Sequence, residues 1–365
     1  MRIAILSAHK SYDYRIYRHI KMLLSMGCEV DYYNITNEKS PHLEIDDSNF
    51  SYIHLYLEKK LSLRTVYVIR EILKRLKNQR YDYYFIQDEE LLILFIFAKK
   101  SIKQRLIIDS HEELSNSFAR RLLLRTVYST IKKQIPCITA LHSNVNFLKK
   151  YFKNVHVFEN YPLLSDFKIE HPSTKRDKLS ITYVGTITEE NRQMLKTLEV
   201  IDKLLENGKF SATLIGPIAN RIHRDLIKSK IKQLELKYPK DFQYTGVLGR
   251  REVIVNLCKS DFLITLYSIP DDIQIAPNKL YEALAAGLII ITDHSNFSTP
   301  IPENLILKVE KTDTPEQIVQ KVLNMCKSPE EIFEKKRYIR KWFFHSRLFW
   351  ESYRETYSFI FRPAN

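Results

Sequence analysis

The sequence predicts an α/β protein of two domains, each a parallel sheet wrapped by helices. Three observations carry that expectation. Apolar strand-like runs alternate with helix-like runs along nearly the whole chain. The polar stretch Glu170-His171-Pro172-Ser173-Thr174-Lys175-Arg176-Asp177 breaks the alternation once and reads as a linker. A chain of 365 residues is long for one domain and natural for two.

Taken in order, residues 2–8 read as a buried strand, 13–26 as a helix and 29–33 as a second strand. Residues 63–76 form a basic amphipathic helical pattern. Short apolar runs at 83–86 and 106–108 read as strands, with the apolar helix 91–98 between them. Residues 138–141 and 155–158 close the first set. Beyond the linker, strands are expected at 179–185, 212–216, 242–246, 262–267 and 288–292. No short repeat or low-complexity tract is visible. In sheets of this kind ligands bind beyond the carboxyl ends of the strands, so the residues after each strand are the candidates for function.

Composition narrows the class. Hydrophobic residues make up 44% of the chain, enough to build cores, and no apolar run reaches the roughly 18 residues that a membrane span needs. Met1-Arg2-Ile3-Ala4-Ile5-Leu6 begins directly as a strand and lacks the apolar region and cleavage site of a signal peptide. Cys28, Cys137, Cys258 and Cys326 are far apart in apolar contexts and read as reduced core residues. A cytoplasmic location is expected. The formal charge of +14 calls for a negative partner: nucleic acid, anionic lipid or a phosphorylated substrate. Only 7 glycines are present, and Gly185, Gly216, Gly246 and Gly287 fall at strand or helix ends, where backbone turns or approaches a ligand.

The most informative stretch is Ala276-Pro277-Asn278-Lys279-Leu280-Tyr281-Glu282-Ala283-Leu284-Ala285-Ala286-Gly287, followed by the apolar run 288–292. Pro277 suits the start of a helix, and Gly287 suits its end. The helix N-terminus with Lys279 makes an anion site suited to a phosphate. Glu282, one turn in, can accept hydrogen bonds from sugar hydroxyls. Equally, the stretch reads as an ordinary helix of a parallel α/β protein.

The stretch resembles the donor-binding signature of retaining glycosyltransferases with the GT-B fold, in glycosyltransferase family 4. Further segments share the resemblance: Asp13-Tyr14-Arg15-Ile16, Gln87-Asp88-Glu89-Glu90-Leu91-Leu92, Asp109-Ser110-His111-Glu112, Asn160-Tyr161-Pro162, Tyr183-Val184-Gly185-Thr186, Leu214-Ile215-Gly216-Pro217, Tyr244-Thr245-Gly246-Val247 and Trp350-Glu351. It implies two Rossmann-like parallel-sheet domains facing each other across a cleft. They would be an acceptor-side domain at 1–168 and a nucleotide-sugar domain at 178–340, with a C-terminal helix at 341–365 crossing back to the first.

The resemblance also implies residue roles. Glu282 would bind the ribose of the nucleotide sugar. Arg192 and Lys196, four apart on a helix expected to start near Thr188, would neutralise its diphosphate. Gly185, Gly246, Asn278, Lys279 and Leu280 would complete the donor site. His111 and Gln274 would face the donor sugar as catalytic candidates, while His9, Asp13 and Asp88 would lie on the acceptor side. Without the resemblance, Asp109 and Glu112 read as caps of the next helix and His111 as a structural hydrogen-bonding residue.

The sequence departs from the pattern at Gln87 in place of His, at Glu89 in place of Pro, and in the absence of a glycine-rich loop after the first strand. It departs most at Gln274, eight positions before Glu282, where many members carry a second Glu. Asp271 and Asp272 are the carboxylates that remain nearby.

The expected activity is transfer of a sugar, with retention, from a nucleotide-diphosphate sugar to a glycan or lipid-linked acceptor in bacterial surface polysaccharide assembly. No essential metal or cofactor is expected, and no Asp-x-Asp motif is evident. A GT-B sugar-nucleotide epimerase is the alternative. A nucleic-acid binder is a weaker one, because the basic residues are spread along helices without a recognition motif. The basic helical patterns around 118–133 and 64–77 suit contact with an anionic membrane surface, or equally a solvated helix face.

Overall fold

The structure, a computed structural model, describes residues 1–8, 13–36, 45–56, 74, 76, 80–88, 91–92, 95, 99–110, 125–130, 135–168, 177–326 and 328–362. The chain divides into two compact units, Met1–Asn160 with Trp350–Asn365, and Tyr161–Phe349. Each carries a fully parallel sheet.

In the first unit the strands are β1 (Arg2–Ser7), β2 (Glu29–Thr36), β3 (Phe50–Tyr56), β4 (Tyr83–Ile86), β5 (Leu106–Ser110), β6 (Pro136–Thr139) and β7 (Asn154–Val157). They lie in the order β3-β2-β1-β4-β5-β6-β7. The second unit has β8 (Leu179–Val184), β9 (Phe210–Ile215), β10 (Phe242–Gly246), β11 (Phe262–Thr265), β12 (Ile289–Thr292) and β13 (Ile306–Lys308), in the order β10-β9-β8-β11-β12-β13. The expected architecture of two Rossmann-like parallel-sheet domains is present.

Continuous apolar strands explain the parallel sheets, since both faces must be covered. Ile3 to Leu6 and Ile289 to Ile291 are completely buried. The strand order reverses between β1 and β4 in one sheet and between β8 and β11 in the other. Such a reversal opens a crevice at the carboxyl ends.

The expected strands appear with their ends shifted by a few residues. The sequence reading missed β3 and β13. β3 is an edge strand with Ser51 exposed and His54 half-buried, so its apolar alternation is weak. β13 is only three residues long and ends on exposed Lys308. The helix after β8 begins at Met194, not near Thr188. The expected helix 63–76 lies outside the described residues apart from Lys74 and Leu76. So does 91–98 apart from Leu91, Leu92 and Phe95, and the linker 170–177 apart from Asp177. Of 118–133, only 125–130 is described, and it is helical.

Residues 161–168 group with the second unit because Arg250 pairs with Asp166 and Arg340 Nη2 donates to the Phe167 carbonyl at 3.0 Å. Residues 341–349 stay there too: Pro329–His345 is one helix, and Phe343 packs edge-on against Phe349. From Trp350 the chain belongs to the first unit, and the buried Trp350 ring sits edge-on to His19. Cys28, Cys137 and Cys258 are buried free thiols, while Cys326 is only half-buried. Among the described residues no helix is long and apolar enough to cross a membrane.

Candidate functional site

In the second unit the glycines prepare the carboxyl edge of the sheet. Gly185, Gly216 and Gly246 end β8, β9 and β10, all with positive φ. A Cβ on Gly216 would lie 1.9 Å from the Gly185 carbonyl oxygen, so no side chain fits there. Gly216 N–H donates to the Gly246 carbonyl at 2.8 Å, and Gly185 N–H to the Ile215 carbonyl at 3.0 Å. The result is an edge of bare backbone, which a ligand can approach closely.

After β11 the chain runs through a loop to helix α7 (Asn278–Ala285), named in sequence with α1 (Tyr14–Ser25), α2 (Lys100–Lys103), α3 (Val145–Leu148), α4 (Met194–Glu206), α5 (Arg224–Lys237) and α6 (Arg250–Lys259). Pro277 caps α7 with extended backbone, and Gly287 follows it at φ +80°. Leu280, Ala283, Leu284 and Ala285 are buried, which aims the short helix tightly onto the sheet.

Glu282 is carried inward by that packing and is 1% exposed. Its Oε2 accepts from Lys279 Nζ at 2.9 Å, and its Oε1 lies 2.5 Å from Arg250 Nη1. Arg250, the first residue of α6, also donates through Nη2 to Asp166 Oδ2 at 3.0 Å. A buried carboxylate needs such pairing, because leaving water uncompensated costs several kcal/mol per ion.

A second group of side chains meets where β8 and β11 end. Arg192 lies before α4, not on it, and its guanidinium sits over the Tyr267 ring at 4.2 Å. Gln193 Nε2 donates to the Tyr267 carbonyl at 2.8 Å and to Asp293 Oδ2. Tyr267 N–H donates to Asp293 Oδ1 at 2.7 Å. Burial raises the Asp293 carboxyl above its ordinary range, against the backbone hydrogen bonds that lower it. Burial also pushes the Tyr183 phenol up to about 12, so it stays a neutral donor, to the Thr186 carbonyl at 2.7 Å. Lys196, in the first turn of α4, donates to the Lys311 carbonyl at 2.9 Å.

Gln274 is half-buried in the loop between β11 and α7, and the next residue, Ile275, bridges to Phe297. In the same loop Asp271 accepts from Lys311 Nζ at 2.8 Å. That hydrogen bond holds the Asp271 carboxyl below the usual carboxylate range. Asn278 is half-buried and Leu280 buried. The structure thus joins Lys279 with Glu282 and stacks Gly185, Gly216 and Gly246. Arg192 and Lys196 belong to separate local networks.

In the first unit, Asp13 is the N-cap of α1, accepting from Arg15 N–H at 2.6 Å and Ile16 N–H at 3.4 Å. Asp88 accepts from Ala8 N–H at 2.6 Å, tying together the ends of β4 and β1 where the strand order reverses. Asp109 binds Arg15 at 2.7 and 2.8 Å and His19 Nε2 at 2.9 Å, all buried, and the helix expected after it lies outside the described residues. His19 Nδ1 meets the Tyr357 hydroxyl. His9 and His111 lie outside the described residues.

Sequence reasoning missed Arg250, Gln193, Tyr267 and Asp293. Arg250, Tyr267 and Asp293 follow the carboxyl end of a strand within a few residues, which was the available signal, while Gln193 sits just before α4 with no such signal. Which of them meet depends on strand order.

No protein-family model matches the chain, and no curated protein matches it. Solved structures do match along their whole length. A glycosyltransferase from Rickettsia africae is 16% identical with a TM-score of 0.71, covering 100% of this chain and 99% of that one. WaaG, a glycosyltransferase involved in lipopolysaccharide biosynthesis, is 13% identical with a TM-score of 0.68, at 99% and 100% coverage. Anabaena HepE, solved in complex with UDP and glucose, is 12% identical with a TM-score of 0.67, at 98% and 98% coverage. At these identities the likeness establishes the fold that this chain shares with solved glycosyltransferases.

Proposed function

We propose that the chain is a glycosyltransferase that moves a sugar from a nucleotide-diphosphate sugar to a glycan or lipid-linked acceptor, with retention, in surface polysaccharide assembly. The observation that carries the reading is Glu282: a buried carboxylate between two cations, at the carboxyl edge of a parallel sheet whose neighbouring strand ends are bare glycine backbone. A carboxylate so placed is an acceptor for ribose hydroxyls. The first turn of α7 and the cations Lys279, Arg192 and Lys196 supply positive charge for a diphosphate.

The leaving group is a nucleoside diphosphate, so charge develops on phosphate oxygens as the glycosidic bond breaks. Fixed cations and backbone N–H groups lower the barrier by meeting that charge without reorganising. No essential metal is invoked in this scheme. His111 is the proposed group at the donor sugar, with Gln274 replacing a carboxylate there by a neutral amide. The charge of +14 suits work at an anionic membrane face on the cytoplasmic side.

A thermal-shift screen of nucleotide sugars tests the reading, since a ligand that binds only the folded state raises the melting temperature by mass action. A donor that stabilises the protein and releases nucleoside diphosphate only when an acceptor is added supports it. Release of free sugar without acceptor marks an epimerase, and a screen with no stabilising nucleotide overturns the proposal.

A further inference from the structure

We propose that the outward face of helix α9 (Pro329–His345), which follows α8 (Pro315–Met325), docks the second unit onto an anionic membrane surface. The proposal rests on the membrane-face part of the reading above and is independent of the donor site.

The helix has two different sides. Ile332, Ile339 and Phe343 are buried and hold it on its unit. Lys336 is turned inward as well, with Nζ 2.7 Å from Asp261 Oδ1. The other side leaves aromatic rings in water: Phe333 is 59% exposed and Tyr338 52%. Arg337 and Lys341 are exposed beside them, one turn apart, and Trp342 is half-buried at the border.

Charge is segregated along the same helix. Glu330, Glu331 and Glu334 occupy its first turns. From Lys335 to Phe349 the chain carries six Lys and Arg and no Asp or Glu, so its later turns are purely cationic. An acidic start and a basic end suit the helix dipole, but the dipole gives no reason to expose two aromatic rings. The protein itself does not use up these charges. Among the described residues Arg337 pairs with Glu334 at 3.4 Å, both side chains mostly exposed, while Lys341 and Arg347 enter no ion pair.

Cations and rings so arranged fit a headgroup layer. Tyr and Trp rings settle at the membrane interface, Lys and Arg stems reach along it to place their charge in water, and each cation near an anionic surface adds attraction. Single-stranded nucleic acid takes a groove lined with rings, whereas this face is the convex side of one helix.

Quenching of tryptophan fluorescence by brominated lipid tests the assignment. The chain has two tryptophans: Trp350, fully buried in the first unit, and Trp342 on α9. Brominated vesicles containing phosphatidylserine should quench the wild type, and Trp342→Phe should lose that quenching. In vesicle sedimentation, Arg337→Glu combined with Lys341→Glu should lower partitioning by about tenfold or more, and Tyr338→Ser should lower it by less. Circular dichroism checks the fold; should the charge-reversed pair not fold, Tyr338→Ser and the Trp342 signal decide, and no change in either overturns the proposal. If the pair keeps vesicle binding while Arg120→Glu with Arg121→Glu abolishes it, the α9 assignment fails and the membrane reading stands. Equal binding to neutral phosphatidylcholine vesicles, or α9-dependent binding of a single-stranded RNA without binding to vesicles, also overturns the assignment. If the wild type binds no vesicle at all, the membrane reading itself fails.

Discussion

Each unit buries a charged cluster, and the two clusters are closed in different ways. In the first unit Arg15, 2% exposed, is saturated by Asp109, the Phe158 carbonyl at 2.6 Å and Asn160 Oδ1 at 3.1 Å. His19 and Tyr357 close the rest, under the Trp350 ring. Every group there is spent on the protein itself. In the second unit Glu282 is just as buried, but its partners Lys279 and Arg250 reach the surface. Burial alone therefore does not separate a strut from a site. What separates them is whether the partners of the buried charge can be reached from solvent.

The largest expected effect breaks the first cluster. Asp109→Asn leaves the Arg15 charge without its counterion, and stability should fall by about 3–5 kcal/mol. Urea unfolding measures it, and a loss below about 1 kcal/mol, the scale of an exposed pair, would mean that the cluster is no strut.

Glu282→Ala sharpens the contrast from the other side. Arg250 retains Asp166, and Lys279 gains solvent, so the variant should fold. Turnover should drop at least a hundredfold, on the scale of losing one transition-state contact. Normal turnover with a donor the enzyme is shown to use would return Glu282 to a packing role. His111→Ala should keep donor affinity within a few-fold while turnover falls by about a hundredfold, as a positioning defect does. Titration of the donor beside a steady-state assay separates the two, and unchanged turnover would move the assignment to His9 or Asp88.

The smallest effect concerns Asp271, whose side chain is 60% exposed. Lys311 holds its carboxyl below the ordinary range, so its contribution is present above the ordinary carboxylate value and disappears as pH falls through the depressed one. Discounted for solvent screening, it amounts to about 0.5 kcal/mol or less. The stability difference between wild type and Asp271→Asn should vanish as pH falls below the depressed value. A difference that grows on acidification would contradict the assignment.

Much of the fold was legible in the sequence because parallel strands are buried on both faces and so stand out as apolar runs. The run at 242–246 coincides with β10, and 2–8 with β1 to within one residue. Helix α1 was legible through its cap, Asp13, and α7 through Pro277 and Gly287. β3 was not, since an edge strand need not be apolar throughout.

The residues proposed for the donor site show the same division. Lys279 and Glu282 share a helix, and spacing alone puts them within reach of each other. Arg250 is 32 positions before Glu282, and Asp109 is 94 positions after Arg15. No local pattern links such pairs. Hydrophobic periodicity, helix caps and glycine positions act over a few residues, so the sequence by itself determined most of the elements and the parallel α/β class. Only the order of strands in each sheet decides which ends become neighbours. That order made Arg250 the partner of Glu282, set Arg192 over Tyr267, and made Asp109 the counterion of Arg15.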